Sequence, residues 1–197
     1  MKRTIIFLTM SITILYAQSL RIGNEVKDFS LKNVNGQMVG MSNYPDAKGY
    51  IIVFTCNHCP FSKAYEQRII DLDKKYSPLG YQLIAINPND PKIVPDDSFE
   101  NMIKVANEKG YAFPYLFDET QEVAKSFGAT KTPHVFIVSK NKLQLTLEYM
   151  GGIDNNSDNV SKADKKYAED AINALLNGKP PVVKEAKALG CSIKWKK

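Results

Sequence analysis

The chain has 197 residues, 44% of them hydrophobic and 24% charged, which suits one soluble domain large enough to bury a proper core. Its formal net charge is +5, and setting Lys2 and Arg3 aside leaves 24 basic against 21 acidic side chains, a net +3. So mild and scattered a balance excludes a nucleic-acid binder read from charge, and nucleic acid is not an expected partner.

Residues 1–17 read as a secretory signal peptide. Lys2 and Arg3 form a basic start, and residues 5–16 are an apolar run too short for a comfortable membrane span. Ala17 supplies the small residue for cleavage before Gln18. Export, in all expectation to a periplasm, follows from this reading, with no stable membrane association after cleavage. An uncleaved N-terminal membrane anchor is the alternative. No cysteine follows the apolar run, so lipoprotein processing is not supported. An oxidising compartment permits disulfides.

Residues 29–34 alternate apolar and polar as a half-buried strand, Asn35-Gly36 turns the chain, and residues 37–41 are a candidate return strand. Residues 43–49 form a loop into an apolar strand, Tyr50-Ile51-Ile52-Val53-Phe54. Cys56-Asn57-His58-Cys59-Pro60 comes next, and from Phe61 the positions Ala64, Tyr65, Ile69, Leu72 and Tyr76 keep helical spacing. Pro60 fits the first helical turn, where its missing N–H costs little. After a break at Ser77-Pro78-Leu79-Gly80, residues 81–86 are again an apolar strand. Strand, helix and strand at this spacing predict a parallel crossover and an α/β layer fold.

Residues 87–97 are rich in Asn, Asp and Pro, and they read mainly as turn chemistry with a helix N-cap at Asp97. They also follow a strand's carboxyl end, where sites in such sheets lie. Residues 98–109 are helical and stop at Gly110; residues 113–117 are extended; Asp118 caps a helix that runs to Phe127. Thr132-Pro133 precedes a strand over residues 135–138, with an antiparallel partner over 143–149 and a last helix over 161–176. His134 is a weak site candidate, expected to be satisfied by local hydrogen bonds. The tail, residues 179–197, carries the third cysteine, Cys191, and the single tryptophan, Trp195.

A C-x-x-C at the turn from strand to helix points to thiol–disulfide chemistry. Two thiols at that spacing can close a small disulfide loop, and a helix N-terminus favours the thiolate of the first. Half of a structural zinc site would need a second C-x-x-C or a His pair, and neither is present in the sequence. His58, between the cysteines, is placed to stabilise the Cys56 thiolate when charged. Lys63 reads as a solvated lysine. Cys191 is a free thiol, a resolving partner, an intermolecular hook or an inert residue packed beside Trp195.

The order of elements, the C-x-x-C and Thr132-Pro133 resemble the thioredoxin superfamily. Asp28-Phe29-Ser30-Leu31 with Asn35-Gly36 resembles its AhpC/TSA-type, TlpA/ResA-related redoxin branch. So do Asn87-Pro88-Asn89-Asp90-Pro91, Phe113 to Gln121 and Gly190-Cys191-Ser192-Ile193-Lys194-Trp195. The resemblance implies a thioredoxin-like fold over residues 24–178: a central mixed β-sheet flanked by helices, with C-x-x-C at the N-terminus of the first core helix. It implies Cys56 as the attacking thiol and Cys59 as the resolving one. It also implies Pro133 as a cis-proline facing the pair and Thr132 as the residue whose backbone pairs with an extended substrate. No cofactor is implied, and the partners would be protein thiols or disulfides, or an upstream redox protein. The chain departs from the thioredoxin motif at Thr55, at Asn57-His58 and at Tyr50, where thioredoxin carries a buried acid. Peroxiredoxins need a Thr three residues before the reactive cysteine; Val53 holds that place before Cys56.

The expected activity is therefore an exported thiol–disulfide oxidoreductase. The alternatives are a thiol peroxidase and a Sco-like, non-enzymatic copper-binding protein using both cysteines and a histidine, since soft thiolates select Cu(I).

Overall fold

A computed structural model describes residues 20–197. The predicted signal segment lies outside the described residues. The chain runs β1 (Leu31–Asn33), β2 (Met38–Val39), β3 (Gly49–Phe54), α1 (Pro60–Tyr76), β4 (Tyr81–Asn87), α2 (Phe99–Lys109) and β5 (Tyr115–Phe117). It continues through α3 (Glu122–Phe127), β6 (Lys131–Thr132), β7 (His134–Asn141), β8 (Gln144–Gly151), α4 (Tyr167–Leu176) and β9 (Cys191–Ser192).

Seven strands form one mixed sheet in the order β2-β1-β5-β4-β3-β7-β8. The neighbours β3, β4 and β5 are parallel, while β7 joins β3 and β8 joins β7 antiparallel. β3 is buried along its whole length, because it pairs on both edges and is covered on both faces. Its alternation sorts the core. Ile51 and Val53 face α1, α2 and α4 with Tyr65, Met102 and Ile172. Ile52 and Phe54 face α3 with Phe127 and Phe136.

The predicted strands recur with boundaries shifted by a few residues. The return strand is shorter than expected: β2 ends at Val39 and a 3-10 turn takes Met41–Asn43, tied down by Met41 and Ser42 N–H groups donating to Asp28. α1 begins at Pro60, and its buried face is Ser62, Tyr65, Ile69, Leu72 and Tyr76, while Ala64 points out. The last helix is also shorter than expected. Val160–Lys162 form a separate 3-10 turn, and extended backbone at Ala163 interrupts the run before Tyr167.

One polar network ties α1 to the loop after β8. Arg68 and the Tyr65 hydroxyl both donate to Asp154, at 2.6 Å and 2.9 Å, in a nearly closed environment. The tail returns over the body rather than leaving it: Ala186 donates to the Met150 carbonyl, Ile193 is buried, and β9 pairs with β6.

Candidate active site

β3 ends at Phe54, and Thr55 N–H still donates to Ile86 of β4 at 2.9 Å. This anchors the turn that carries Cys56. Cys59 is the N-cap residue of α1 and Pro60 its first helical residue. The amide field of the helix therefore falls on Cys59, three residues later than the first cysteine on which the sequence places it. Cys56 is 5% exposed and Cys59 is fully buried. Both are free thiols.

Thr132 touches both sulfurs. Its hydroxyl lies 3.2 Å from Cys56 Sγ, and its carbonyl oxygen lies 3.2 Å from Cys59 Sγ. The Thr132–Pro133 bond is cis. Ser62 Oγ, one turn into α1, is 3.6 Å from Cys56 Sγ. The two thiols push each other's proton affinity apart. The Cys56 thiol hydrogen-bonds to Cys59 and, despite burial, holds it down to about 4, helped by Cys191 and the Ser62 amide. The same bond, burial and the charge of Asp97 hold the Cys56 thiol up.

Asp97 organises the turn between the cysteines. It is fully buried, and its Oδ1 accepts the backbone N–H groups of Asn57 at 2.7 Å and His58 at 3.2 Å. Its Oδ2 accepts Asn89 Nδ2 at 2.8 Å and lies 2.6 Å from His58 Nδ1. The helix cap expected at Asp97 is supplied instead by Ser98, whose side chain accepts from Asn101 N–H. Released from capping, Asp97 turns inward. His58 is thereby held with Nδ1 3.6 Å from Cys56 Sγ. Asn57 is fixed as well, donating to the Asp96 carbonyl and accepting from the Tyr115 hydroxyl beneath it.

Cys56, His58 and Asp97 each offer a ligand atom within 4.8 Å of the others. They are the residues that could hold a metal. However, both Asp97 oxygens and His58 Nδ1 are already engaged with one another and with the surrounding amides, so the cluster is satisfied without an ion.

The structure gathers Cys56, His58, Cys59 and Thr132 at one place, with Pro133 next in the chain. The sequence did not mark Asp97, Asn89, Ser62 or Tyr115 as site residues. Asp97 and Asn89 lie in the Asn/Asp/Pro-rich loop at the carboxyl end of β4, which was their one signal. Lys63 is exposed, as expected. His134 stands apart: its Nδ1 accepts Thr130 N–H at 3.4 Å and its ring packs on Phe136. Cys191 was the open case, and it stands opposite Thr132 in the β6–β9 pair.

A mixed sheet with C-x-x-C opening its first long helix, set against a Thr–cis-Pro edge, defines a thioredoxin-fold redoxin. The chain belongs to the AhpC/TSA family, whose sequence profile matches residues 22–145. It is similar to an uncharacterized conserved protein from Geobacillus kaustophilus, 40% identical, whose crystal structure superposes with a TM-score of 0.82 over 90% of this chain and 93% of that one. A hypothetical protein from Sinorhizobium meliloti 1021 gives the same TM-score of 0.82 at 29% identity, over 91% of this chain and 97% of that one. Among named relatives, the thiol-disulfide oxidoreductase ResA of Geobacillus thermodenitrificans is 25% identical over 126 residues, 62% of this chain. That match spans 66% of the ResA chain, just under two thirds of its length.

Proposed function

We propose that this protein is an exported thiol–disulfide oxidoreductase working through Cys56 and Cys59. The observation that carries the reading is the pair of buried C-x-x-C sulfurs held against one residue, Thr132, whose hydroxyl touches Cys56 and whose carbonyl touches Cys59. Kinship with ResA supports it, and the signal-like residues 1–17 support export.

Cys56 meets the substrate, since it is the sulfur with some exposure. Cys56 gives its proton up to solvent, and its thiolate attacks the substrate disulfide. One substrate sulfur leaves as a thiolate, and a Cys56–substrate mixed disulfide forms. Cys59 then attacks Cys56 Sγ and gives up its proton to the second leaving sulfur. The products are the Cys56–Cys59 disulfide and a reduced substrate; the reverse sequence oxidises a dithiol. His58 and Asp97 position the turn and set the charge beside Cys56.

Measuring the reduction potential of the Cys56/Cys59 couple against glutathione, with peroxide consumption followed in parallel, tests this. Reversible formation of a Cys56–Cys59 disulfide without peroxide turnover is the expected result. Peroxide consumed stoichiometrically with thiol would instead favour a peroxidase, the reading that Val53 in place of the threonine argues against. A pair that never closes a disulfide would remove the proposal.

A further inference from the structure

β9 places Cys191 directly opposite Thr132, in antiparallel register with Lys131 paired to Ser192. The pairing is close. A Cβ built on Gly190 would lie 2.5 Å from the Thr132 carbonyl oxygen, so a residue lacking Cβ is what lets the tail backbone sit there. Ile193 N–H donates to the Thr130 carbonyl and extends the contact. Three cysteines therefore converge on one residue. Cys56 touches the Thr132 hydroxyl, Cys59 its carbonyl, and Cys191 is its cross-strand partner. Cys59 is sealed from solvent, whereas Cys191 is partly exposed.

We propose that Cys191 is a third redox thiol of this site, which takes the disulfide over from the buried pair and presents it at the surface. The step rests on the thiol–disulfide reading above. The Cys191 thiolate attacks Cys59 Sγ in the Cys56–Cys59 disulfide. The Cys56–Cys59 bond breaks and a Cys59–Cys191 bond forms. Cys56 leaves as a thiolate and takes up, through solvent, the proton that Cys191 released. No electrons are gained or lost. Two external thiols, free or on a protein, then reduce the Cys59–Cys191 bond and are themselves joined as a disulfide.

The electrostatics follow the direction of transfer. In the reduced protein the Cys191 thiol is held up to about 11 by burial first, then by hydrogen bonding to Cys59 and by its charge. Once Cys59 is in a disulfide it carries no charge, so its share of the upward push on Cys191 disappears, burial remains, and Lys194 continues to favour the thiolate.

The test is disulfide mapping by mass spectrometry on the full mature chain, equilibrated with oxidised glutathione, acid-quenched and alkylated. Wild type is compared with Cys56→Ser and with Cys56→Ala, each checked for native circular dichroism. A Cys59–Cys191 linkage in either folded variant, and as a fraction of the wild type beside Cys56–Cys59, is the expected result. Wild type that forms only Cys56–Cys59, with Cys191 alkylatable throughout and both thiols unlinked in the folded variants, overturns the inference and leaves the parent activity standing. Wild type that forms no Cys56–Cys59 bond counts against the parent activity instead.

Discussion

Asp97 satisfies four donors with two oxygens, and three of them belong to the turn between the cysteines or to its histidine. Removing a buried acceptor strands its donors at about 1–3 kcal/mol each. Asp97→Asn keeps the shape but turns an amide NH2 toward Asn89 or His58, so a loss of about 2–3 kcal/mol in urea unfolding is expected. The same substitution removes a negative charge that disfavours the Cys56 thiolate. His58→Ala removes a group that favours this thiolate when protonated. A stabilised thiolate makes the couple more oxidising, so the two changes move the potential in opposite senses: Asp97→Asn raises it and His58→Ala lowers it, by about 30 mV for each tenfold change in the exchange constant. Glutathione equilibration of both variants checks the signs; shifts in the same direction would refute the assignment. Cys56, His58 and Cys59 were legible in the sequence because a local spacing encodes them. Asp97 was not, because its partners lie some 40 residues away and the same letter at the same place reads equally well as a helix cap.

Among the elements, β9 rests on the glycine that precedes it. Gly190→Ala would press a methyl group into the Thr132 carbonyl, and the neighbour is backbone, which cannot swing aside. The strand is expected to lift from β6 while the seven-stranded sheet stays intact. Cys191 should then react with iodoacetamide several-fold faster than in wild type, with little change in far-ultraviolet circular dichroism. Unchanged alkylation would mean that the tail tolerates the methyl. The parallel strands β3 and β4 and helix α1 were readable from periodicity, since their burial is set by a whole face of the sheet. The tail strand was not readable. Two residues carry no periodicity, and the pairing is fixed by a partner about 60 positions earlier. The long helix expected over residues 161–176 shortened as well, because Val160–Lys162 close a separate 3-10 turn and the backbone is extended at Ala163.

The molecule as a whole couples its stability to pH through His134. Burial lowers this imidazole from 6.5 to about 4. Between those values the unfolded chain binds a proton that the folded chain refuses, so stability rises with pH across that window and falls as acid is added. One pKa unit corresponds to about 1.4 kcal/mol, and partial exposure reduces the sum, so the loss attributable to His134 is about 2 kcal/mol. Asp73 and Asp118, both raised by burial, work in the opposite sense. The comparison is therefore between wild type and His134→Gln in urea titrations at several pH values, where wild type should lose ground as the medium becomes acidic. The pairing of the tail with Thr132 has one more consequence. An intramolecular strand on a short tether acts as a ligand at roughly millimolar local concentration. That occupant already holds the Thr132 edge and cannot diffuse away, so under the proposed function a client peptide pairing there has to displace it.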